Sequence, residues 1–136
     1  MPAKSIPHTR TRAAHSSEIA EDYVEAISDA MENGTCRAVD LVKHFGVSAV
    51  TVNRTLARLQ RDGLVQTTAY GPIELTAAGK KLADFSKMRH QVVIDFLIAM
   101  GVSPATALID SEGMEHHVSH ETLHAMRSFL ATKQQP

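Results

Sequence analysis

The strongest constraint on the fold of this sequence is the order of predicted elements in residues 17–75. Apolar residues at helical spacing predict an amphipathic helix over residues 17–32. The next segment, "RAVDLVKHFGVSAVTVNRTLARLQRDG", predicts two short helices over about residues 38–45 and 48–61, on either side of Gly46. The segment "LVQTTAYGPIEL" is rich in β-branched residues and contains Gly-Pro, which predicts a β-hairpin. This order is that of a winged helix-turn-helix, and a plain pair of helices followed by a β-turn is the alternative.

The charge on the third predicted helix favours the winged helix-turn-helix. Residues 41–61 contain four basic residues and no acidic one, although the net charge of the whole chain is only −1. In this interpretation the helix from Ser48 lies in the major groove of DNA, where residues near its N-terminus reach base edges and later arginines contact phosphate. The predicted DNA contacts are Ser48, Thr51, Asn53, Arg54, Arg58 and Arg61. Val50 is expected to face inward with Leu56 and Leu59, and residues 70–72 form the tip of the predicted wing.

The second half of the sequence is predicted to be helical. Thr76 is the predicted cap of a long helix that runs to about Met100, a second helix begins at Ser103-Pro104, and a last one begins at Ser119. The segment "VVIDFLIAM" within the long helix is apolar around most of its circumference, which predicts that a second copy of the chain covers it. We therefore expect a mainly α protein with a winged helix-turn-helix DNA-binding domain followed by an α-helical dimerisation domain.

Composition sets the remaining boundaries. Residues 1–16 are basic and almost free of large apolar side chains, which predicts a flexible arm before a DNA-binding domain at 17–76 and a metal-binding and dimerisation domain at 77–136. The sequence has neither a membrane-spanning apolar segment nor a secretory signal, which predicts a cytoplasmic protein without a membrane partner. A single cysteine, Cys36, excludes an all-cysteine metal site, so histidines and carboxylates are the available ligands.

Such ligands are concentrated in the segment "DSEGMEHHVSHETLH". If this segment is helical, Glu112, Glu115 and His116 lie at i, i+3 and i+4 on one face, where they suit a divalent metal ion. A polar, solvated helix surface is the alternative. Two other predicted helices also carry acidic or imidazole side chains beside their apolar residues: Asp22, Glu25 and His90.

At this point the sequence resembles the manganese transport regulators, the manganese-responsive branch of the diphtheria-toxin-repressor family of metal-dependent transcription factors. The similar segments are "EDYVEAI", "GVSAVTVNRTLARLQRDGLV", "LTAAGKKLA", "RHQVVIDFLIAMGV" and "EGMEHHVS". Together they lie within residues 18–130. The resemblance implies a homodimer that binds a double-stranded DNA operator, expected to be palindromic, and represses manganese uptake genes.

The resemblance also implies a ligand set for two Mn²⁺ ions per chain. Carried over residue by residue, the family's metal ligands are Asp22, Glu25, His90, Glu112, Glu115 and His116. Carboxylates and imidazoles are ligands that Mn²⁺ accepts, and four carboxylates balance two divalent ions. The iron-responsive branch has a cysteine at the position of Glu112 and a methionine at the position of Asp22, and neither soft ligand is present here.

Three other functions stay open on the sequence alone. A winged-helix regulator could respond to Fe²⁺ or another divalent metal, or to a small organic ligand. A hydrolase could use a two-metal carboxylate and histidine cluster. The sequence contains neither a nucleophile elbow nor a phosphate loop, so we predict that the protein is not an enzyme.

Overall fold

The computed structural model describes residues 7–68 and 71–133, with side chains from residue 15 onward. The chain forms two compact units. The first comprises residues 18–85, and the second combines the start of the first helix, up to Ser17, with residues from Ser86 onward. None of the described helices is long and apolar enough to span a bilayer.

The described elements confirm the predicted order of helices and strands. In chain order they are α1 (Pro7–Glu32), α2 (Ala38–Phe45), α3 (Ala49–Arg61), β1 (Val65–Thr67), β2 (Ile73–Leu75), α4 (Ala77–Ala99), α5 (Pro104–Met114), a short 3-10 helix (Glu115–His117) and α6 (His120–Lys133). The protein is thus mainly α, and its only described sheet has two strands.

The first helix begins earlier than predicted. It starts at Pro7, ten residues before Ser17, so residues 7–16 are helical where a flexible arm was expected. The prediction weighed only large apolar side chains. Proline suits the first position of a helix, and the following arginines and alanines are good helix formers, so the helix extends beyond its apolar face. Residues 1–6 of the predicted arm lie outside the described part of the chain.

The core of the first unit lies among the first three helices and the hairpin. Val24 and Ile27 of α1 are fully buried, and the ring of Tyr23 stacks on Phe45 of α2 with 4.4 Å between centroids. On α3 the side chain of Val52 is fully buried.

Val50 does not face inward as predicted. It is 64% exposed, whereas Leu56 and Leu59 are buried as expected. The reason is the register of α3, because Val52, Leu56 and Leu59 follow each other at four and three residues along one helical face, and Val50 lies nearly opposite to that face.

The turn between α2 and α3 fixes the start of the third helix. Gly46 adopts a left-handed conformation, with φ 65° and ψ 34°, that costs glycine little, and its N–H donates to the carbonyl of Val42 at 2.9 Å. Two residues later, the hydroxyl of Ser48 accepts the N–H of Thr51 at 3.1 Å, which confirms the predicted N-cap. The side chains that follow Ser48 are therefore presented from a well-defined helix end.

The wing is a short antiparallel hairpin attached to the rest of the first unit. Val65 pairs with Leu75, and the N–H of Ile73 donates to the carbonyl of Cys36 at 2.7 Å. Residues 69–70, in the predicted tip, lie outside the described residues. At the base of the hairpin, Gly79 of α4 lies so close to Leu64 that a Cβ would collide with the carbonyl of Leu64. Glycine is needed there for close packing.

The second unit packs the latter part of α4 against α5 and α6. Val93 and Ala107 are fully buried, and the rings of Phe96 and Phe129 meet edge to face at 5.4 Å between centroids. Ser103 caps α5 through the N–H of Thr106, as predicted. Ser119 is the cap of α6, which therefore begins one residue later than predicted.

Candidate metal centre and DNA interface

The 3-10 helix places Glu115 inside the second unit. The α-helix ends at Met114, and residues Glu115–His117 form the 3-10 helix. The backbone stays in the right-handed helical conformation at Met114 and Glu115, and the N–H of Glu115 donates to the carbonyl of Ser111. Glu112, on α5, is exposed, whereas Glu115 is only 4% exposed.

Glu115 lies between two imidazoles that come from different parts of the second unit. One carboxylate oxygen, Oε2, contacts Nδ1 of His90 on α4. The other, Oε1, lies 3.4 Å from Nε2 of His116, whose side chain is only 6% exposed. A carboxylate and two imidazole rings thus converge in a largely buried place, where a polar group needs partners. The structure brings together these three of the predicted ligands.

We call these three residues the His90–Glu115–His116 cluster. A buried arginine borders it. Arg89 precedes His90 on α4 and is 7% exposed. Its Nη2 lies 3.4 Å from Nδ1 of His116. Sequence analysis did not identify Arg89. Its position directly before a candidate ligand was visible in the sequence, but its side chain is placed by packing between segments that are 27 residues apart.

The donor atoms of the cluster fit a divalent metal ion of the harder kind. Two imidazole nitrogens and a carboxylate are suited to ions such as Mn²⁺, Fe²⁺ and Zn²⁺, and the cluster contains no sulfur ligand. Burial strengthens the interaction of the carboxylate with a cation because water screens it less. The His90–Glu115–His116 cluster therefore has the chemistry of a metal centre.

The other predicted ligands are distributed over both units. Glu112 lies on α5, three residues before Glu115. Asp22 and Glu25 lie one turn apart on α1 in the first unit, where Asp22 is exposed and Glu25 is half-buried. Two carboxylates at this spacing project from the same side of a helix. The side chains of Asp22 and Glu25 thus lie on one face of α1.

The candidate DNA interface lies on the surface of α3. Arg54 and Arg61 are exposed and Arg58 is half-buried, and all three project from the side of the helix opposite to the core. Ser48 and Thr51 are exposed at the beginning of the helix, where the two hydroxyls also bond each other at 3.1 Å. This arrangement gives α3 a basic face with small polar groups at its N-terminal end.

Asn53 projects toward the wing. It lines a groove of about 630 Å³ between α3 and the hairpin, together with Gln60 and Thr67. The hydroxyl of Thr67 donates to Oε1 of Gln60 at 2.8 Å, so the wing is attached to the reader helix by a side-chain hydrogen bond. Val50, which sequence analysis assigned to the core, joins the exposed face of α3 and gives it an apolar side chain.

Exposed apolar side chains are concentrated in the second unit. Those on α5 and near the C-terminal end of α4 include Ile98, Leu108, Ile109 and Met114, and Met100 follows directly after α4; their exposures range from 40% to 74%. Scattered apolar residues are normal on a surface, but several in one small unit are typical of an interface. Within "VVIDFLIAM", Val93 and Ile94 are covered by the chain itself.

Two family models match consecutive parts of this chain. Residues 15–73 match the iron-dependent repressor N-terminal DNA-binding domain, and residues 76–135 match the iron-dependent repressor metal-binding and dimerisation domain. The chain belongs to the iron-dependent repressor family. It is a metal-dependent transcriptional repressor that binds DNA and forms a homodimer, and it is not an enzyme.

Similar proteins include two transcriptional regulators named MntR. That of Escherichia coli O6:H1 is 50% identical over 121 residues, which cover 88% of this chain and 78% of that protein. That of Salmonella typhimurium is 49% identical over 127 residues, which cover 93% of this chain and 79% of that protein. These identities extend across both units.

A solved structure of a manganese-dependent transcriptional repressor in complex with manganese has the same fold. It superposes with a TM-score of 0.74 at 28% identity, over 82% of this chain and 52% of the solved chain. The chain therefore spans about half the length of that repressor. The basic face of α3 lies in the part that matches the family's DNA-binding domain, and the His90–Glu115–His116 cluster lies in the part that matches its metal-binding and dimerisation domain.

Proposed function

We propose that this repressor is activated by Mn²⁺ in the cytoplasm and represses genes of manganese uptake. The observation that carries the proposal is the buried carboxylate of Glu115 between His90 and His116, in a set without sulfur ligands. The names of the similar regulators and of the manganese-bound repressor support Mn²⁺ as the activating ion. Because the protein binds DNA, we infer that it acts in the cytoplasm.

The proposed centre binds two metal ions per chain. We assign its ligands to the six residues Asp22, Glu25, His90, Glu112, Glu115 and His116. Their four carboxylates match the charge of two divalent ions, and carboxylates support the higher coordination numbers that Mn²⁺ accepts. Asp22 and Glu25 belong to the DNA-binding domain, and the other four belong to the metal-binding and dimerisation domain.

The ligand residues transmit the signal through their charge. In the metal-free protein the carboxylates of Asp22, Glu25, Glu112 and Glu115 all carry negative charge, which opposes bringing them together. These side chains would hold the metal ions, whose positive charge would offset the repulsion among the carboxylates. The distance between the two α3 helices of the dimer would then vary over a narrower range.

DNA selects among these separations. Two half-sites on one face of B-DNA lie about 34–36 Å apart, and a two-fold symmetric dimer engages both only near that spacing. A palindromic operator follows from this symmetry. Metal favours the DNA-bound state only by its higher affinity for that state, and DNA must tighten metal binding by the same factor.

The experiment compares Glu115→Gln with Glu121→Gln, a matched control at an exposed carboxylate of α6. Metal binding is measured by calorimetry, and DNA binding by fluorescence anisotropy in buffered Mn²⁺. The wild type and the control should bind two ions per chain and become tight DNA binders, whereas Glu115→Gln should bind DNA weakly at every Mn²⁺ concentration. Equal activation of Glu115→Gln and the control would refute the assignment. Activation of the wild type by Fe²⁺ but not by Mn²⁺ would move the function to the iron-responsive class.

A further inference from the structure

Arg89 places a fixed positive charge beside the proposed metal ligands. The residue is 7% exposed, and the side chain of His116 that it contacts is 6% exposed. A guanidinium cannot lose its proton in a protein and can only donate hydrogen bonds. Nδ1 of His116, at 3.4 Å from Nη2 of Arg89, must therefore be the acceptor in this contact.

This contact fixes the tautomer of His116. When Nδ1 accepts, the proton of the neutral ring is on Nε2, and Nε2 lies 3.4 Å from Oε1 of Glu115, which can accept it. Both ring nitrogens then have a protein partner. The lone pair that an imidazole needs for binding a metal ion is the one that faces Arg89.

Metal binding through either nitrogen of His116 conflicts with the position of Arg89. A metal ion on Nδ1 would replace the guanidinium directly. For a metal ion on Nε2, the proton would have to move to Nδ1, where it would face the N–H of Arg89. The two positive charges also repel each other in a place that water screens poorly. In each case the guanidinium has to withdraw.

We propose that Arg89 is an internal competitor of the activating metal ion, whose guanidinium holds the lone pair of His116 in the metal-free protein and raises the metal concentration needed for loading. The inference rests on the proposed function, because it assumes that His116 is a metal ligand. The protein would therefore respond only at a higher metal concentration, and Arg89, which is not itself a ligand, would set that concentration.

The alternative role for Arg89 is that of an anchor that orients His116 for the metal ion. The two roles predict opposite effects of removing the charge. An anchor makes metal binding tighter, so its removal weakens binding. A competitor makes metal binding weaker, so its removal strengthens binding.

The test uses Arg89→Gln in the full chain, with Arg127→Gln as a matched loss of an exposed arginine on α6. The dissociation constant of Mn²⁺ is measured by competition with a chelating dye. For Arg89→Gln it should fall by about tenfold or more, since the repulsion between a unit charge and a divalent ion a few Å apart exceeds that change even at an effective dielectric constant of about 20. Arg127→Gln should bind as the wild type does, and Arg89→Lys, which keeps the cation, should bind more weakly than Arg89→Gln.

An independent readout comes from the metal-free wild type. Nitrogen NMR of ¹⁵N-histidine-labelled protein should give an unprotonated Nδ1 and a protonated Nε2 for His116, assigned by comparison with His116→Gln. The opposite tautomer would overturn the inference, even if Arg89→Gln did not fold. An unchanged or higher dissociation constant for a folded Arg89→Gln would overturn it as well. Failure of the wild type to bind Mn²⁺ would instead refute the proposed function.

Discussion

Replacement of Arg58 with alanine should weaken binding to all DNA sequences and flatten the dependence of binding on salt. Arg58 lies on α3 one turn after Arg54, on the side of the helix opposite to the core. A phosphate contact from this position releases counterions, and each such contact contributes about −0.9 to the slope of log affinity against log salt. The homodimer carries two copies of Arg58, so the variant should lose about 1.8 from the magnitude of the slope.

The effect is large enough for a simple titration. A fourfold rise in salt lowers the DNA affinity of both proteins. The fold-loss should be about ten times larger for the wild type than for the variant, because four to the power 1.8 is about 12. The assay is fluorescence anisotropy of a labelled operator and of a random duplex in saturating Mn²⁺ over a salt series. Arg127→Ala, on α6, is the control and should keep the wild-type slope. A wild-type slope for Arg58→Ala would refute the phosphate contact.

Four further predictions concern specificity, metal choice and stability. Arg54→Ala should lose about 1–3 kcal/mol per half-site more on the operator than on random DNA in the same assay, and equal losses would remove Arg54 from base recognition. Glu112→Cys should still bind divalent metal but lose its preference for Mn²⁺ over Fe²⁺ and Co²⁺ in anisotropy with buffered metals, because a thiolate favours softer ions; an unchanged metal ranking would contradict this role. Gly79→Ala should lower the free energy of unfolding by about 1–3 kcal/mol in denaturant titration, since its Cβ collides with the carbonyl of Leu64, and an unchanged midpoint would contradict the close packing. Burial, with a smaller effect of a neighbouring carboxylate, raises the pKa of the Cys36 thiol from 9.0 to about 11. The stability that comes from keeping this thiol protonated should therefore be complete below pH 9.0 and be lost as the pH rises toward 11, and Cys36→Ala should remove that loss in alkaline denaturation curves.

Local signals in the sequence were sufficient for most helix and strand boundaries. Ser48, Thr76 and Ser103 each cap the helix that was predicted to follow, because a hydroxyl that accepts a backbone N–H acts within three residues. Gly46 marked the turn between α2 and α3 for an equally local reason. These interactions depend on neighbours in the chain and can be predicted from a short window.

Features that depend on register or on distant segments could not be predicted in this way. The inward face of α3 is the one that packs on the rest of the first unit, and Val52, not the predicted Val50, shares that face with Leu56 and Leu59. The contact of Glu115 with His90 joins segments 25 residues apart, which periodicity does not reveal. The resemblance to a family supplied the candidate ligands, whereas the burial of Glu115 and the position of Arg89 beside His116 are seen only in the structure.

In the proposed mechanism, metal binding at the ligand set controls DNA binding by the dimer. The most direct measurement is the affinity of the purified protein for the promoter of a manganese transporter gene, by anisotropy in chelator-buffered solutions with and without Mn²⁺. We expect an increase in affinity of about 5-fold to 150-fold with Mn²⁺, the usual range of coupling between two sites, and none for Glu115→Gln. Equal affinity of the wild type in the two conditions would contradict the account.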